Sequence, residues 1–417
     1  ASHVRVNETL KSGARGATND PSHRRLRHLL IVSQFALALV LLAGAAVMIR
    51  GLDRLIHRDA GWRPDGLVTG KLVMPTSISA DPDRTLQFYE QLQERIAALP
   101  GVESASVDVD LPITGYPATL WFEVEGREPG VPGRRPMVRK NPVSPEYFEM
   151  TGIALRQGRT IAPTDRRESP PVAVINAAMA RTVFPDGNAI GQRLRLAGQP
   201  EDAWTEIVGI VDDVRFLNVN AQPTPFQLYI PLSQETWGYV SVTARAQNPA
   251  GAGALVEPMR RVLAELDPDL AFSVLPIPEL IQRNVADLRF VGQLLSGFAL
   301  LGLFLAGLGI YSVTSRAVLQ RTSEIGIRLA LGAQWHDITR LIVGGGAKLA
   351  TVGAGVGLVL ATILITLLTR AMPGLAGGHT PALAGATVVL VGISLLACWL
   401  PARRATKIDP LTALRAE

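Results

Sequence analysis

The sequence predicts an α+β membrane protein: four transmembrane helices, with a two-lobed extracytoplasmic α+β domain inserted between spans 1 and 2. Composition is the first observation, since 47% of the 417 residues are hydrophobic and 18% are charged, with a mean hydropathy of +0.22. Such a chain is too apolar for an ordinary soluble protein and too polar to lie wholly in a membrane. The second observation is that four long apolar runs flank one region, 51–289, in which apolar runs have strand length and charges are frequent.

The N-terminal segment, 1–28, is polar and basic, and we expect it to be cytoplasmic. The run that follows, 29–50, has no charge before Arg50 and is long enough to cross a hydrocarbon core of about 30 Å as a helix. This run is too long for the apolar part of a cleavable signal, and the sequence opens at Ala1. We therefore expect a fragment or a processed chain.

Region 51–289 is predicted to fold from both of its ends. Each end carries a strand, an amphipathic helix and a second strand, with the periods expected of each. The predicted elements are 67–74, 82–99 and 102–109 at one end and 239–246, 254–266 and 270–275 at the other. Two such units at the two ends of a region indicate one α+β lobe closed by both chain ends.

A second lobe, about 144–231, is predicted to be inserted into the first, because its short strands are separated by Gly and Pro turns. Asp212 and Asp213 are adjacent in it. On a strand they would point to opposite faces, so we expect solvated or turn residues and not a catalytic carboxylate pair.

The remaining apolar runs predict spans 290–314, 341–369 and 381–400. A polar helix, 278–289, precedes the second span, and one continuous helix through both would transmit movement. In the third span Lys348 is expected to snorkel to the cytoplasmic surface, and the spacing of Gly353 and Gly357 permits close helix approach.

Charge in the short loops predicts the orientation. Arginines are frequent in the loop 315–340 and in the tail 401–417, whereas Arg370 stands alone in the short loop 370–380. The positive-inside rule then places both termini and the loop 315–340 in the cytoplasm and the large domain outside.

Several function classes are disfavoured by the sequence. It has no G-x-x-x-x-G-K-[ST], HExxH or GxSxG motif and only one cysteine, Cys398, so we expect no ATPase site, no metal or cofactor and no enzyme in this chain. The net charge of +5 comes from basic residues beside the apolar runs, which favours contact with lipid over nucleic acid. The spans lack the ionisable residues of a secondary transporter, apart from Lys348 near one end.

The loop between spans 2 and 3 contains the segment 321–333, RTSEIGIRLALGA, which is predicted to be a short helix. Thr322 is a plausible N-cap, and Gly332 is placed to end the helix. Glu324 and Arg328 stand four residues apart with the acid first, which stabilises an exposed helix by roughly 0.3 kcal/mol. These features alone fit a surface helix that merely connects two spans as well as one that binds a partner.

This segment and the tail carry a resemblance to the MacB/FtsX-like ABC transporter permeases. The tail, PARRATKIDPLTALRAE, resembles the PARRA...DPxxALR ending of that family. The residues that resemble its EIGIRxALGA signature are Glu324, Ile325, Gly326, Ile327, Arg328, Leu329, Ala330, Leu331, Gly332 and Ala333. The opening LKSGARG before a basic first span is similar to the junction in duplicated permeases, so the chain would be the second module of one, with a periplasmic core domain.

The resemblance implies a multi-pass protein of the bacterial inner membrane whose segment 324–333 docks on a separate ABC ATPase. ATP hydrolysis there would move the periplasmic domain by mechanotransmission, for export or release of a substrate. Its implied partners are the ATPase, a second permease module in a homo- or pseudo-dimer, a periplasmic partner and membrane lipid. Two alternatives remain: a non-transporting signalling or scaffold permease that controls a periplasmic partner, and a receptor without any ATPase.

Overall fold

The computed structural model describes residues 21–57, 59–113, 118–128, 135–216, 226–320, 334–372 and 379–405. The chain divides into two compact units. One is a helical unit formed by the residues before Arg54 and after Ala286. The other is an α/β unit, Arg54–Ala286.

The elements are numbered in chain order. The helices are α1 (Pro21–His57), α2 (Thr76–Ser79), α3 (Pro82–Ala97), α4 (Tyr147–Thr151), α5 (Ala177–Val183), α6 (Val256–Leu266), α7 (Ile277–Gln320), α8 (Trp335–Ala371) and α9 (His379–Ala405). The strands are β1 (Leu67–Val73), β2 (Val102–Asp108), β3 (Ala118–Val124), β4 (Met137–Val143), β5 (Leu155–Gly158), β6 (Val172–Asn176), β7 (Arg193–Leu196), β8 (Thr205–Val211), β9 (Gln227–Pro231), β10 (Tyr239–Ala246) and β11 (Ala271–Pro276).

Four of the described helices are long and apolar enough to cross a membrane. The candidate spans are Arg25–Arg54, Ile277–Gln320, Gly344–Ala371 and Leu383–Pro401. The α/β unit falls between the first and the second of them. The predicted fold class, an α+β membrane protein with a domain inserted between spans 1 and 2, is confirmed.

The first lobe of the α/β unit is formed by both ends of the domain, as the sequence predicts. β1 pairs antiparallel with β10 on one side and with β11 on the other, and β10 also pairs with β2. β1 and β2 are therefore parallel with β10 between them. Helices α3 and α6 pack on one face of these strands in a single apolar core.

Helix α3 shows why this lobe forms where the sequence places it. The Asp81 side chain accepts hydrogen bonds from the backbone N–H groups of Asp83 (3.0 Å) and Arg84 (3.3 Å), and Pro82 occupies the first helical position. The buried face, which includes Tyr89 and Leu92, lies against the sheet.

The second lobe has its own core. Its strands follow β2 in the order β4, β3, β7, β8, β6 and β9, with β5 paired to β8. The core already includes Phe122 of β3 and Val138 of β4. Both residues precede residue 144, the predicted start of the inserted lobe. The lobe begins earlier in the chain because β3 and β4 pair mainly with strands of this lobe.

Within the helical unit, small residues bring helices close together. A Cβ atom at Gly353 of α8 would lie 2.6 Å from Cβ of Phe35, and one at Gly357 would lie 2.9 Å from Cα of Ala36. The two glycines expected to permit close helix approach therefore pack α8 against α1 of the same chain. Gly355, between them in sequence, has no atom within 4 Å of its Cβ position.

Replacing Gly357 by valine is expected to destabilise the helical unit by about 2 kcal/mol, because the side chain would overlap the α1 backbone. The measurement is the midpoint of thermal unfolding in lipid nanodiscs. Gly355→Val is the matched control, since it makes the same change two residues away in open space. Equal midpoints for the two variants would contradict the packing of α8 on α1.

Candidate functional site

The predicted docking segment, Glu324 to Ala333, lies outside the described residues. The helices on either side of it are described: α7 ends at Gln320 and α8 begins at Trp335. The structure therefore describes α7, the helix that leads to the docking segment, and not the segment itself.

Helix α7 begins inside the α/β unit with no loop before it. β11 ends at Pro276, whose backbone is in register with Val68 of β1, and α7 starts at Ile277. Ile277 is fully buried, and Asn284 donates a side-chain hydrogen bond to the carbonyl oxygen of Ile113 (3.2 Å). The first turns of α7 are thereby fixed to the sheet and to the core beside it.

That core joins the two lobes and is rich in aromatic residues. Tyr147, Phe148 and Tyr229 have ring centroids 5.1 to 5.8 Å apart. Leu280 and Ile281, one turn into α7, pack against the same cluster. A movement of α7 would therefore act on side chains from both lobes.

The later part of α7 packs against α1 within the helical unit. A Cβ atom at Gly302 would lie 3.5 Å from Cβ of Ala38, and one at Gly309 would lie 3.3 Å from Cγ1 of Ile31. Ala306, on the same side, is fully buried. Small residues at these positions let the two helices approach closely, as in many membrane helix pairs.

Near its C-terminal end α7 lines a basic cleft of about 360 Å³. The residues that line it are Arg27 of α1 and Tyr311, Ser312, Ser315 and Arg316 of α7, so two arginines and three hydroxyl-bearing residues form its wall. The cleft lies within three turns of the last described residue of α7.

The α/β unit also contains a buried polar layer, on the sheet face opposite α3 and α6. Lys71 of β1, Ser241 of β10 and Asp108 of β2 are direct cross-strand neighbours. Thr243 Oγ1 lies 3.5 Å from Oδ2 of Asp108. Oδ1 of Asp108 has no hydrogen-bond partner among the described residues. Helix α4 packs over this face of β2, and Asp108 and Thr243 are fully buried, whereas Lys71 is partly exposed.

Burial controls the protonation of this layer. It raises the pKa of Asp108 well above its ordinary value, and the nearby Asp110 carboxylate raises it further. Burial lowers the pKa of Lys71, against the opposing effect of Asp110 and Asp108. Burial also raises the pKa of Tyr147 in α4. Each shift disfavours the charged form of its group.

Comparison with known proteins identifies the family. A model described as the MacB-like periplasmic core domain matches residues 31–262, and one described as the FtsX-like permease C-terminal region matches residues 296–410. The chain belongs to the MacB/FtsX-like permeases. The resemblance inferred from the sequence is thus confirmed, while its interpretation as the second module of a duplicated permease stays a prediction.

Individual relatives are distant. The macrolide export ATP-binding/permease protein MacB of Salmonella typhi is 25% identical over 289 residues, 67% of this chain and 44% of that protein. The uncharacterized ABC transporter permease YvrN of Bacillus subtilis is 27% identical over 294 residues, 66% of this chain and 69% of that protein. The matched region thus spans less than half the length of the Salmonella protein.

A solved structure, the periplasmic region of MacB from Actinobacillus actinomycetemcomitans, is 14% identical, with a TM-score of 0.38. The aligned region covers 55% of this chain and 97% of the chain in that structure.

The two adjacent aspartates of this permease have separate partners. Asp212 forms a two-point ion pair with Arg156 (2.5 and 2.8 Å). Asp213 accepts hydrogen bonds from Asn176 (2.7 Å) and Arg181 (2.9 Å). They point to different neighbours and form no carboxylate pair, but both are fixed by ion pairs and are not simply solvated.

The sequence pattern does not predict the buried polar layer. The alternating pattern of β2, with Ser106 and Asp108 on one face, is that of a strand with one solvated face. The largely apolar sequence of α4, YFEMT, could have indicated this layer, because its apolar side chains must be buried against a neighbouring surface. Among the described residues, no group of three or more His, Cys, Asp or Glu is placed to hold a metal ion.

Replacing Asp108 by asparagine is expected to flatten the pH dependence of stability above about pH 4. Because the folded-state pKa is raised, the stabilisation is complete below the unfolded pKa of about 3.9 and is lost as pH rises through the folded pKa, at about 1.4 kcal/mol per unit of pKa difference. The measurement is the thermal midpoint against pH for both proteins.

Asp269→Asn, in the exposed turn before β11, is the control and should leave the pH profile unchanged. If the thermal midpoint of Asp108→Asn changed with pH as steeply as that of the wild type, the Asp108 carboxyl would not contribute to the pH dependence of stability.

Proposed function

We propose that this chain is the permease subunit of an ABC-type mechanotransmission complex, in which ATP hydrolysis by a separate subunit moves the α/β unit for export or release of a substrate. The observation that carries the proposal is the continuity of α7. It has 44 residues, so it is about 66 Å long at 1.5 Å per residue, roughly twice the thickness of a hydrocarbon core.

The two ends of α7 have the properties that transmission needs. At the N-terminal end the helix follows β11 directly and Ile277 is buried in the core between the lobes. At the C-terminal end it stops one residue before the segment RTSEIGIRLALGA. A displacement of that segment would pass to the sheet along one helix, with no flexible loop in between.

The connection through α1 differs. Between His57, where α1 ends, and Leu67, where β1 begins, Gly61 and Gly66 have positive φ angles of 75° and 76°. The stretch is also held by the α/β unit, since Trp62 is buried and the backbone N–H of Arg63 donates to the carbonyl oxygen of Thr151 (2.8 Å). We assign the transmitting role to α7 because it runs as one helix from the end of β11 to the residue before the predicted docking segment, and a supporting role to α1.

The energy source in this proposal is a separate ABC ATPase that binds Glu324 to Ala333 on the cytoplasmic side of the bacterial inner membrane. The chain itself would not be an enzyme, consistent with the lack of a nucleotide-binding motif in its sequence. Both termini would be cytoplasmic and the α/β unit periplasmic, as the loop charges indicate. A second permease module would complete the two-fold complex that an ATPase dimer requires.

Reversing the charges of the predicted docking helix, with Glu324→Arg and Arg328→Glu together, is expected to abolish recovery of the ATPase. The double change keeps an oppositely charged pair at the same spacing, so the helix is largely retained while its surface charge is inverted. The measurement is affinity purification of the full chain from membranes, followed by mass spectrometry of the cytoplasmic proteins that remain bound.

The matched control reverses another pair at the same spacing, Glu279→Arg with Arg283→Glu in the first turns of α7, where the side chains lie 2.8 Å apart. Recovery of an ATPase with the wild type and the control, but not with the docking variant, supports the proposal. Equal recovery with all three would contradict docking at this segment. If no ATPase were recovered with the wild type after crosslinking, the receptor alternative would replace it.

A further inference from the structure

The helical unit forms the basic cleft of about 360 Å³ at the end of α7 that leads to the predicted docking segment. We propose that this cleft binds the phosphate group of an anionic glycerophospholipid, one whose headgroup carries no amine. The proposal goes beyond the export function, because it assigns a lipid ligand to the helical unit and because its binding requires neither ATPase nor ATP.

Antiparallel packing of α1 against α7 fixes the two sides of the cleft. A Cβ atom at Gly302 would lie 3.5 Å from Cβ of Ala38, and one at Gly309 would lie 3.3 Å from Cγ1 of Ile31, so seven residues forward along α7 match seven residues back along α1. Small residues at such contacts let the two helices approach closely. The register of the two helices is therefore set by packing inside the membrane, independently of any ligand.

The same register brings Arg27 to a polar turn of α7. Extended by four residues on each helix, it places Arg27 of α1 level with Val313 of α7. Ser312 and Arg316 stand four residues apart there and so share one face of α7, and Ser315 lies beside them on that face. An arginine from each helix and hydroxyl groups from α7 therefore line one cavity.

The chemistry of the lining favours a phosphate group. A planar guanidinium group donates parallel hydrogen bonds to phosphate oxygens, and hydroxyl groups donate to the same oxygens. The described residues that line the cleft include no carboxylate, so a headgroup amine would find no anionic partner among them. An anionic headgroup without an amine thus fits this lining better than a zwitterionic one. A phosphate bound by Arg27 and Arg316 would tie α1 to the end of α7.

The charge at this end is not neutralised within the two helices. The only acidic residue of α1, Asp53, lies at the opposite end of the helix from Arg25 and Arg27. In α7 the last carboxylate before Arg316 is that of Asp287, which is 29 residues earlier and so about 44 Å away along the helix. The paired ends of α1 and α7 therefore attract anions.

The position of the cleft favours a lipid over a soluble phosphate. Arg27 lies at the start of the apolar run of α1 and Arg316 at the end of that of α7, so both arginines fall at the depth of lipid headgroups. On the hydrocarbon side of the cleft, Leu30 of α1 and Leu308 of α7 are 53% and 46% exposed. The acyl chains of a lipid whose phosphate lies in the cleft would cover these side chains.

The test is lipid binding to the full chain in detergent, measured by native mass spectrometry without ATPase or ATP. The probes are phosphatidylglycerol and phosphatidylethanolamine with the same acyl chains. We expect phosphatidylglycerol to bind at about tenfold lower concentration than phosphatidylethanolamine. Glycerol phosphate, the soluble competitor, should not displace the bound lipid even at about tenfold excess, because it has no acyl chains to cover the exposed leucines.

Arg27→Gln combined with Arg316→Gln should lower the affinity for phosphatidylglycerol about tenfold and remove the preference for this lipid. Arg25→Gln combined with Arg289→Gln is the matched control, since it removes the same charge from exposed positions of the same two helices that do not line the cleft. The control should bind as the wild type does. Ser315→Trp fills the cleft without changing its charge and should also weaken binding. It serves as the second variant if the double variant does not fold.

Equal loss of binding in the cleft variant and in the control would show a general attraction of the basic helix ends for anionic lipid and would overturn the proposal. Wild-type affinity in both the cleft variant and Ser315→Trp would also overturn it, as would equal affinity of the wild type for the two lipids. Displacement of the lipid by glycerol phosphate would indicate a site for a soluble phosphate and would contradict the lipid assignment. Because no ATPase is present, none of these outcomes bears on the docking experiment with Glu324 and Arg328.

Discussion

The direct junction between β11 and α7 is the constraint on which the rest of the structure depends. Pro276 ends a strand paired to β1, and Ile277 starts the helix while fully buried. With no residue between the strand and the helix, α7 cannot change direction without straining the sheet pairing or the core around Ile277. In the proposed function, this fixed end would allow a movement of α7 to reach the sheet without being lost in a flexible connection.

The interior of the α/β unit suits this role. The core around Tyr147, Phe148 and Tyr229 joins both lobes and receives the first turns of α7. Beside it, Asp108 and Thr243 are polar and buried, and Oδ1 of Asp108 has no hydrogen-bond partner among the described residues. Buried polar groups specify register, since a slipped strand would place Asp108 against the apolar core under α3. The layer thereby contributes to a single pairing register in the first lobe.

Much of this organisation follows from the sequence by simple physics. The spans follow from the length of uncharged runs, and the lobe closed by both chain ends follows from two strand–helix–strand patterns that the pairing of β1 with β10 and β11 bears out. The continuity of α7 follows from the polar helix placed directly before an apolar run.

Other features depend on contacts that no local pattern encodes. The alternation in β2 is that of a strand with a solvated face, but α4 covers that face and buries Asp108. The second core begins with β3, before the predicted start of the insert, because strand pairing and not loop composition decides which lobe a strand joins. The partners of Gly353 and Gly357 lie on α1, more than 300 residues earlier in sequence. The residues Glu324 to Ala333 lie outside the described residues, so their docking role is still a prediction.

The central claim is that α7 carries movement from the ATPase to the α/β unit. It is tested most directly by energy transfer from a fluorophore at residue 269, in an Asp269→Cys, Cys398→Ser background, to acceptor-labelled lipid headgroups in the reconstituted complex. ATP should change the transfer in the wild-type helix and in Asp287→Ala. ATP should leave the transfer unchanged in Asp287→Pro, because proline breaks the helix at this exposed position. The ATPase should still co-purify with this variant, which shows that docking is intact. An ATP-dependent change of wild-type size in Asp287→Pro would contradict transmission through α7.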